Sequence, residues 1–188
     1  MNHFLALRLD DATRDRLERI ADRLKAWELP ATWTHPDDLH LTIRFLGPLD
    51  DDEAHYLPTA IDLVAGSLRR PRLRLTGLGG VGGRNEPRAV FAAVGDNDHA
   101  CAHMHRDLGD ALDLPVEDDF KPHVTLCRPQ PSRRGDHLRA DHDWPALFAA
   151  HGLAEWGDCV VTDLILYRSH PEHTPRYAEL ARWPLVTA

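Results

Sequence analysis

Two short stretches carry residue types suited to proton chemistry: "HLTIRF", His40 to Phe45, and "HVTLCR", His123 to Arg128. Each reads His-apolar-Thr-apolar. In an extended strand, side chains two apart share a face. His40 then stands beside Thr42, and His123 beside Thr125. Leu41, Ile43 and Phe45 turn the other way into a core, as do Val124 and Leu126. An imidazole titrates near about 6.5, so it can hold or release a proton at neutral pH. Two of them supply one general base and one general acid for a single step. Displacement at phosphorus wants the attacking and leaving oxygens roughly in line, with a proton carrier for each. Threonine hydroxyls can donate to the non-bridging phosphate oxygens, and an arginine can offset the growing negative charge. Nothing in this scheme requires a metal.

Two arginines are near enough to serve. Arg128 follows the second motif, but strict alternation turns it away from His123 and Thr125. It reaches a phosphate only if the strand ends or twists near Cys127, and Pro129 is consistent with an ending there. Arg44 shares the parity of His40 and Thr42, so it either lines the same cleft or sits at its rim paired with an acid. A single His-x-Thr in a strand is ordinarily the polar face of a half-buried sheet. Two copies 83 residues apart (123 − 40) suggest corresponding positions in two halves of one fold.

The elements that must position these strands follow from periodicity. His3–Leu9 alternates as a strand. Asp10 or Asp11 caps a helix to about Trp27, with Leu17, Ile20, Ala21, Leu24 and Trp27 on its apolar face. Leu39–Leu46 is a strand ended by Gly47-Pro48. Asp51–Leu68 is a helix, its acidic start favourable at a helix N-terminus. Strands are expected at 72–76 and 89–94, joined by a flexible connection, "GLGGVGGRNEPR". That connection is rich in glycine but lacks the lysine-serine pair of a phosphate loop. A helix over 98–112 turns Cys101, Met104, Leu108 and Leu112 inward, and strands follow at 121–127, 160–167 and 176–183. This order predicts an α+β fold with largely antiparallel sheets, one domain over residues 1–188.

Composition narrows the partners. Net charge is −8, which argues against coating nucleic acid through many phosphate contacts. A pocket gripping one phosphate is compatible with it, and the basic residues are arginines apart from Lys25 and Lys121. Cys101, Cys127 and Cys159 form no CxxC pair, so a cysteine zinc site or disulfide framework is not expected. No apolar run reaches a membrane span, and the N-terminal residues lack a signal-peptide pattern. A cytoplasmic monomer is the expectation. His99 and His103 are four apart, a spacing that can bind zinc, but no carboxylate or cysteine completes a set. With His105 they are read as a solvated face. His137, His142, His170 and His173 are read as surface.

In their flanks, the paired motifs resemble a known family. "WTHPDDLHLTIRFLG", "LRLTGLGGVG", "FKPHVTLCR" and "LYRSHPEHTPRYAELARWPL" look like the RNA 2′,3′-cyclic phosphodiesterases, or 2′-5′ RNA ligases, of the two-histidine (2H) phosphoesterase superfamily. The likeness runs from about Phe4 to Leu185. It implies a bilobal fold, two mostly antiparallel sheets flanking a central cleft with helices outside. It implies hydrolysis of a 2′,3′-cyclic phosphate to a 2′-phosphomonoester without cofactor or metal. In that scheme His40 is the general acid, His123 the general base, and Thr42, Thr125 and Arg128 hold the phosphate. The partner is an RNA end or a nucleotide bearing the cyclic phosphate. Phe120, Trp33 or Tyr167 would stack on the terminal base. The rivals are a related activity on another small cyclic phosphate or 2′-5′ linkage, a non-catalytic RNA-end binding module, and a metal hydrolase built on His99 and His103.

Overall fold

β1 (Asn2–Leu9) is apolar on both faces, which fits a central strand with a neighbour on each side. Leu5, Leu7 and Leu9 enter the larger core, while Phe4 and Ala6 form a small cluster with Ile165 and Tyr167 on the opposite face. The structure is a computed structural model and describes residues 1–83, 85–115, 119–130 and 143–187.

β1 pairs with β3 (His40–Pro48) on one side and β8 (Val161–Ser169) on the other, and β8 carries the edge strand β9 (Tyr177–Pro184). The second half of the sheet contains β6 (His123–Pro129), β5 (Pro87–Gly95), β4 (Leu73–Gly82) and β7 (Gly157–Cys159). The short β2 (Ala31–Trp33) pairs with β6. All these strand pairs are antiparallel, and the order is β7-β4-β5-β6-β3-β1-β8-β9. The two expected sheets are therefore halves of one. They meet at a single register pair, Leu41 opposite Val124, which joins the two motif strands.

The helices cover one face. α1 (Asp11–Lys25) starts at Asp10, whose carboxylate accepts from the Thr13 amide, and α2 (Asp51–Ala65) starts with a capping box between Asp50 and Glu53. α3 (Ala100–Ala111) and the unforeseen α4 (Trp144–His151) complete the layer. Leu17, Ile61, Leu108 and Leu147, one from each helix, join the larger core. The other face is left for the cleft. None of the helices among the described residues is long and apolar enough to cross a membrane.

Several expectations change. Trp27 lies past the end of α1 and is 38% exposed, so it is not part of that buried face. The glycine-rich segment is not a flexible connection: β4 continues to Gly82 and forms a hairpin with β5. A Cβ on Gly79 would lie 2.3 Å from the Phe91 ring, and one on Gly80 would lie 2.8 Å from Phe148. The glycines thin the strand so that aromatic rings can lie across it. His137 and His142 lie outside the described residues.

Candidate active site

The antiparallel contact of β3 with β6 brings the two motifs to one place. His40, Thr42, His123 and Thr125 all line a cleft of about 590 Å³. The two imidazoles are held alike. His40 Nδ1 donates to the Asp38 carbonyl at 2.6 Å, and His123 Nδ1 donates to the Lys121 carbonyl at 2.8 Å. A carbonyl only accepts, so each Nδ1 carries a hydrogen and each Nε2 is the ring nitrogen left for chemistry. Each ring also rests on a phenylalanine from the neighbouring strand, Phe4 at 4.9 Å from His40 and Phe91 at 4.7 Å from His123. The site is thus two-fold in its local design, as the matched motifs suggest.

The surroundings differ in burial. Tyr177 packs edge-on against His40 at 5.0 Å. Burial pushes the His40 imidazole down from 6.5 to about 4, aided by the positive charge near His123 and Arg128 and opposed by the Asp38 carbonyl and carboxylate. His40 is therefore neutral at pH 7. The unfolded chain takes a proton at this residue below 6.5 and the folded chain refuses it until about 4. Between those values the unfolded state binds more protons, so this group removes stability as pH falls. His40→Gln is expected to lose less unfolding free energy between pH 7 and 4.5 than the parent, measured by urea titration at both pH values.

Both motif strands break strict alternation at the same place. On β3, Leu5 faces Arg44 and Ala6 faces Thr42, so Ile43 is an extra residue. On β6, Val90 faces Cys127 and Phe91 faces Thr125, so Leu126 is the extra one. Each is a β-bulge three residues past its histidine, and each inverts the side-chain parity beyond it. The fourth residues, Arg44 and Cys127, are buried, and the fifth, Phe45 and Arg128, line the cleft. Arg128 therefore does face the cleft, by a bulge instead of a strand end. Phe45 is not core: it is 64% exposed, 6.0 Å from Phe4. Arg44 is 2% exposed and bonded to His105 and the Pro115 carbonyl, away from the cleft and unlike either expected position.

Other lining residues carried no motif. Arg88 precedes the apolar run of β5, Arg176 immediately precedes β9 and Tyr177 opens it; all three line the cleft. Asp38 is buried with its carboxylate accepting from the Arg176 amide at 2.8 and 2.9 Å and the Tyr177 amide at 3.2 Å. Of the three aromatics named for stacking, Trp33 lines the cleft. Phe120 stacks on His105 and Tyr167 on Phe4, outside the lining. His99 is not on the helix with His103, since α3 begins at Ala100 and His99 caps it with φ of 53°. His105 is buried, not solvated. Among the described residues no three His, Cys, Asp or Glu side chains are placed to hold a metal.

Residues 7–91 match the family described as LigT like phosphoesterase. The chain is 29% identical over 192 residues to an RNA 2′,3′-cyclic phosphodiesterase of Geobacillus stearothermophilus, covering 100% of this chain and 58% of that protein. It is 25% identical over 138 residues to an RNA 2′,3′-cyclic phosphodiesterase of Methanothermobacter thermautotrophicus, covering 72% of this chain and 74% of that one. Of the solved structures, a Thermus thermophilus protein superposes with a TM-score of 0.70 at 24% identity, covering 98% of both chains. E. coli LigT complexed with 3′-AMP gives a TM-score of 0.59 at 23% identity, over 98% of this chain and 97% of that one. The LigT like phosphoesterase match spans the first motif, a relative aligns along the whole chain, and the solved structures share the fold.

Proposed function

We propose that the chain is an RNA 2′,3′-cyclic phosphodiesterase that opens the cyclic phosphate to a 2′-phosphomonoester. One observation carries this: two imidazoles, each fixed at Nδ1 by a main-chain carbonyl, line one cleft with a threonine hydroxyl beside each. The names of the relatives support it. In the forward step His123 Nε2 takes a proton from water as the water oxygen attacks phosphorus. The bond from phosphorus to the 3′ oxygen breaks, and His40 Nε2 gives that oxygen a proton. Thr42 and Thr125 donate to the non-bridging oxygens, and Arg128 balances the charge that builds there. With a 5′-hydroxyl in place of water the same step, with the same histidine roles, forms a 2′-5′ linkage; its reverse cleaves that linkage to the cyclic phosphate, and there the histidines exchange roles.

His40 must be protonated to act as the acid, and the protein alone holds it neutral at pH 7. The bound phosphate opposes this, because a negative charge beside an imidazole favours its charged form. Binding of a 2′-phosphate product is expected to raise the His40 pKa from about 4, read by NMR titration of the ring. An unchanged value on binding would move the acid role elsewhere.

The nucleobase lies against Phe45, the exposed aromatic beside the first motif. Base stacking on an aromatic is worth roughly 1–3 kcal/mol by truncation. Phe45→Ala is expected to raise KM for a 2′,3′-cyclic nucleotide by roughly 5–150-fold and to leave a base-free cyclic ribose phosphate nearly unaffected. The reading as a whole is tested by turnover of 2′,3′-cyclic AMP in excess EDTA, where activity is expected to persist.

A further inference from the structure

The bulge on β3 leaves Ile43 without a ladder partner, and its carbonyl needs a donor from elsewhere. His105 of α3 provides it: Nδ1 lies 2.6 Å from the Ile43 carbonyl. On the other side of the same ring, Nε2 accepts from Arg44 Nη1 at 2.7 Å. A guanidinium only donates, so Nδ1 carries the hydrogen and donates to Ile43. Arg44 Nη2 also donates to the Pro115 carbonyl, and the guanidinium lies over Gly109, where a Cβ would sit 3.4 Å from Arg44 Cζ. The His105 ring stacks on Phe120 at 4.5 Å, with 19° between the planes. Phe120 adjoins Lys121, whose carbonyl fixes His123.

We propose that His105 and Arg44 are positioning residues that clamp the β3 bulge from behind and thereby hold Phe45 and Thr42 at the cleft. This rests on the reading of the cleft given above. A buried imidazole and guanidinium are costly to desolvate, and apolar residues would fill the same space at no such cost. Their placement at Ile43, where β3 changes parity just past the His-Thr pair, gives them a use. The second motif solves the same problem differently. The carbonyl of its extra residue, Leu126, accepts from the Thr34 main-chain amide at 2.9 Å, so β6 needs no side-chain clamp. Removing the clamp frees the bulge to slide along β3, and a slip of one residue would turn Phe45 into the core and Arg44 to the cleft.

The double variant Arg44→Met/His105→Phe leaves no unpaired buried charge and keeps an aromatic ring against Phe120, so it is expected to fold, with stability lowered by the loss of donors to the Ile43 and Pro115 carbonyls. Its kcat/KM on a 2′,3′-cyclic nucleotide is expected to fall roughly 10–100-fold, the scale of a misplacement of about 1 Å. The advantage of the nucleotide over a base-free cyclic ribose phosphate is expected to shrink with it. A folded double variant with parental kcat/KM, or with an equal loss on both substrates, overturns the proposal. His105→Gln can donate to Ile43 and accept from Arg44, and is expected to keep the parental ratio of the two substrates; a collapsed ratio there also overturns it. The Phe45–Phe4 ring contact, followed by NMR without substrate, is expected to be lost in the double variant and kept in His105→Gln. Its persistence in the double variant overturns the positioning role. A parent chain that turns over no cyclic phosphate removes the functional reading, and this contact then still decides the role of the clamp.

Discussion

His40→Ala and His123→Ala are each expected to lower kcat/KM for a 2′,3′-cyclic nucleotide by about 10²–10⁴, the usual worth of a positioned general acid or base. The fold should survive both changes. Each ring lines the cleft and makes a single hydrogen bond at Nδ1 to a carbonyl two residues before it. The two rings serve one proton balance, so their losses should not add. The double alanine variant is expected to be little slower than the worse single one, as for residues that act as a unit. Glutamine in place of either histidine should be nearly as slow as alanine, since an amide cannot carry the proton. A single variant that kept parental kcat/KM would remove that histidine from the mechanism.

Asp38→Ala is expected to damage stability and catalysis together. The carboxylate is 4% exposed and accepts from two successive amides, Arg176 and Tyr177, at the start of β9. Truncation leaves those amides without the acceptor that now satisfies them, and hydrogen bonds to a charged group contribute about 1.5–3 kcal/mol. A loss of about 3 kcal/mol is expected. In a chain of this length that lowers Tm by about 6–12 °C, read by calorimetry. The same carboxylate favours the charged form of His40, and the amides it holds place Tyr177 edge-on against that ring. A fall in kcat at temperatures where the variant is still folded should accompany the loss in Tm. Asp38→Asn, which keeps one acceptor oxygen, should recover part of both. Stability lost with kcat intact would confine Asp38 to the fold.

Much of this was legible along the chain, for identifiable reasons. The caps at Asp10 and Asp50 are local, so both helix starts could be placed. His40 with Thr42, and His123 with Thr125, depend only on the period of a strand, and both pairs line the one cleft. What lay beyond the bulges was hidden. An extra residue in a strand has no signature of its own, because it is defined by the partner strand. The partners are β1 and β5, and their register decides that Phe45 and Arg128 face the cleft while Arg44 does not. Alternation carried past Ile43 exchanged Phe45 with Arg44. The glycines of β4 were read as freedom, when their use is to admit Phe91 and Phe148. His105 looked solvated among polar neighbours, because its partners Ile43 and Arg44 lie about 60 residues earlier (|i−j| of 62 and 61). The merging of the two sheets hangs on one pair, Leu41 with Val124, which no local pattern encodes.

The position of the phosphate after ring opening tests the central claim most directly. In the proposed step the proton from His40 goes to the 3′ oxygen, so the bond to that oxygen breaks and phosphate stays on the 2′ oxygen. Hydrolysis of 2′,3′-cyclic AMP in excess EDTA, with the product resolved by phosphorus NMR, is expected to yield 2′-AMP alone. Formation of 3′-AMP, or no hydrolysis until a metal is restored, would contradict it.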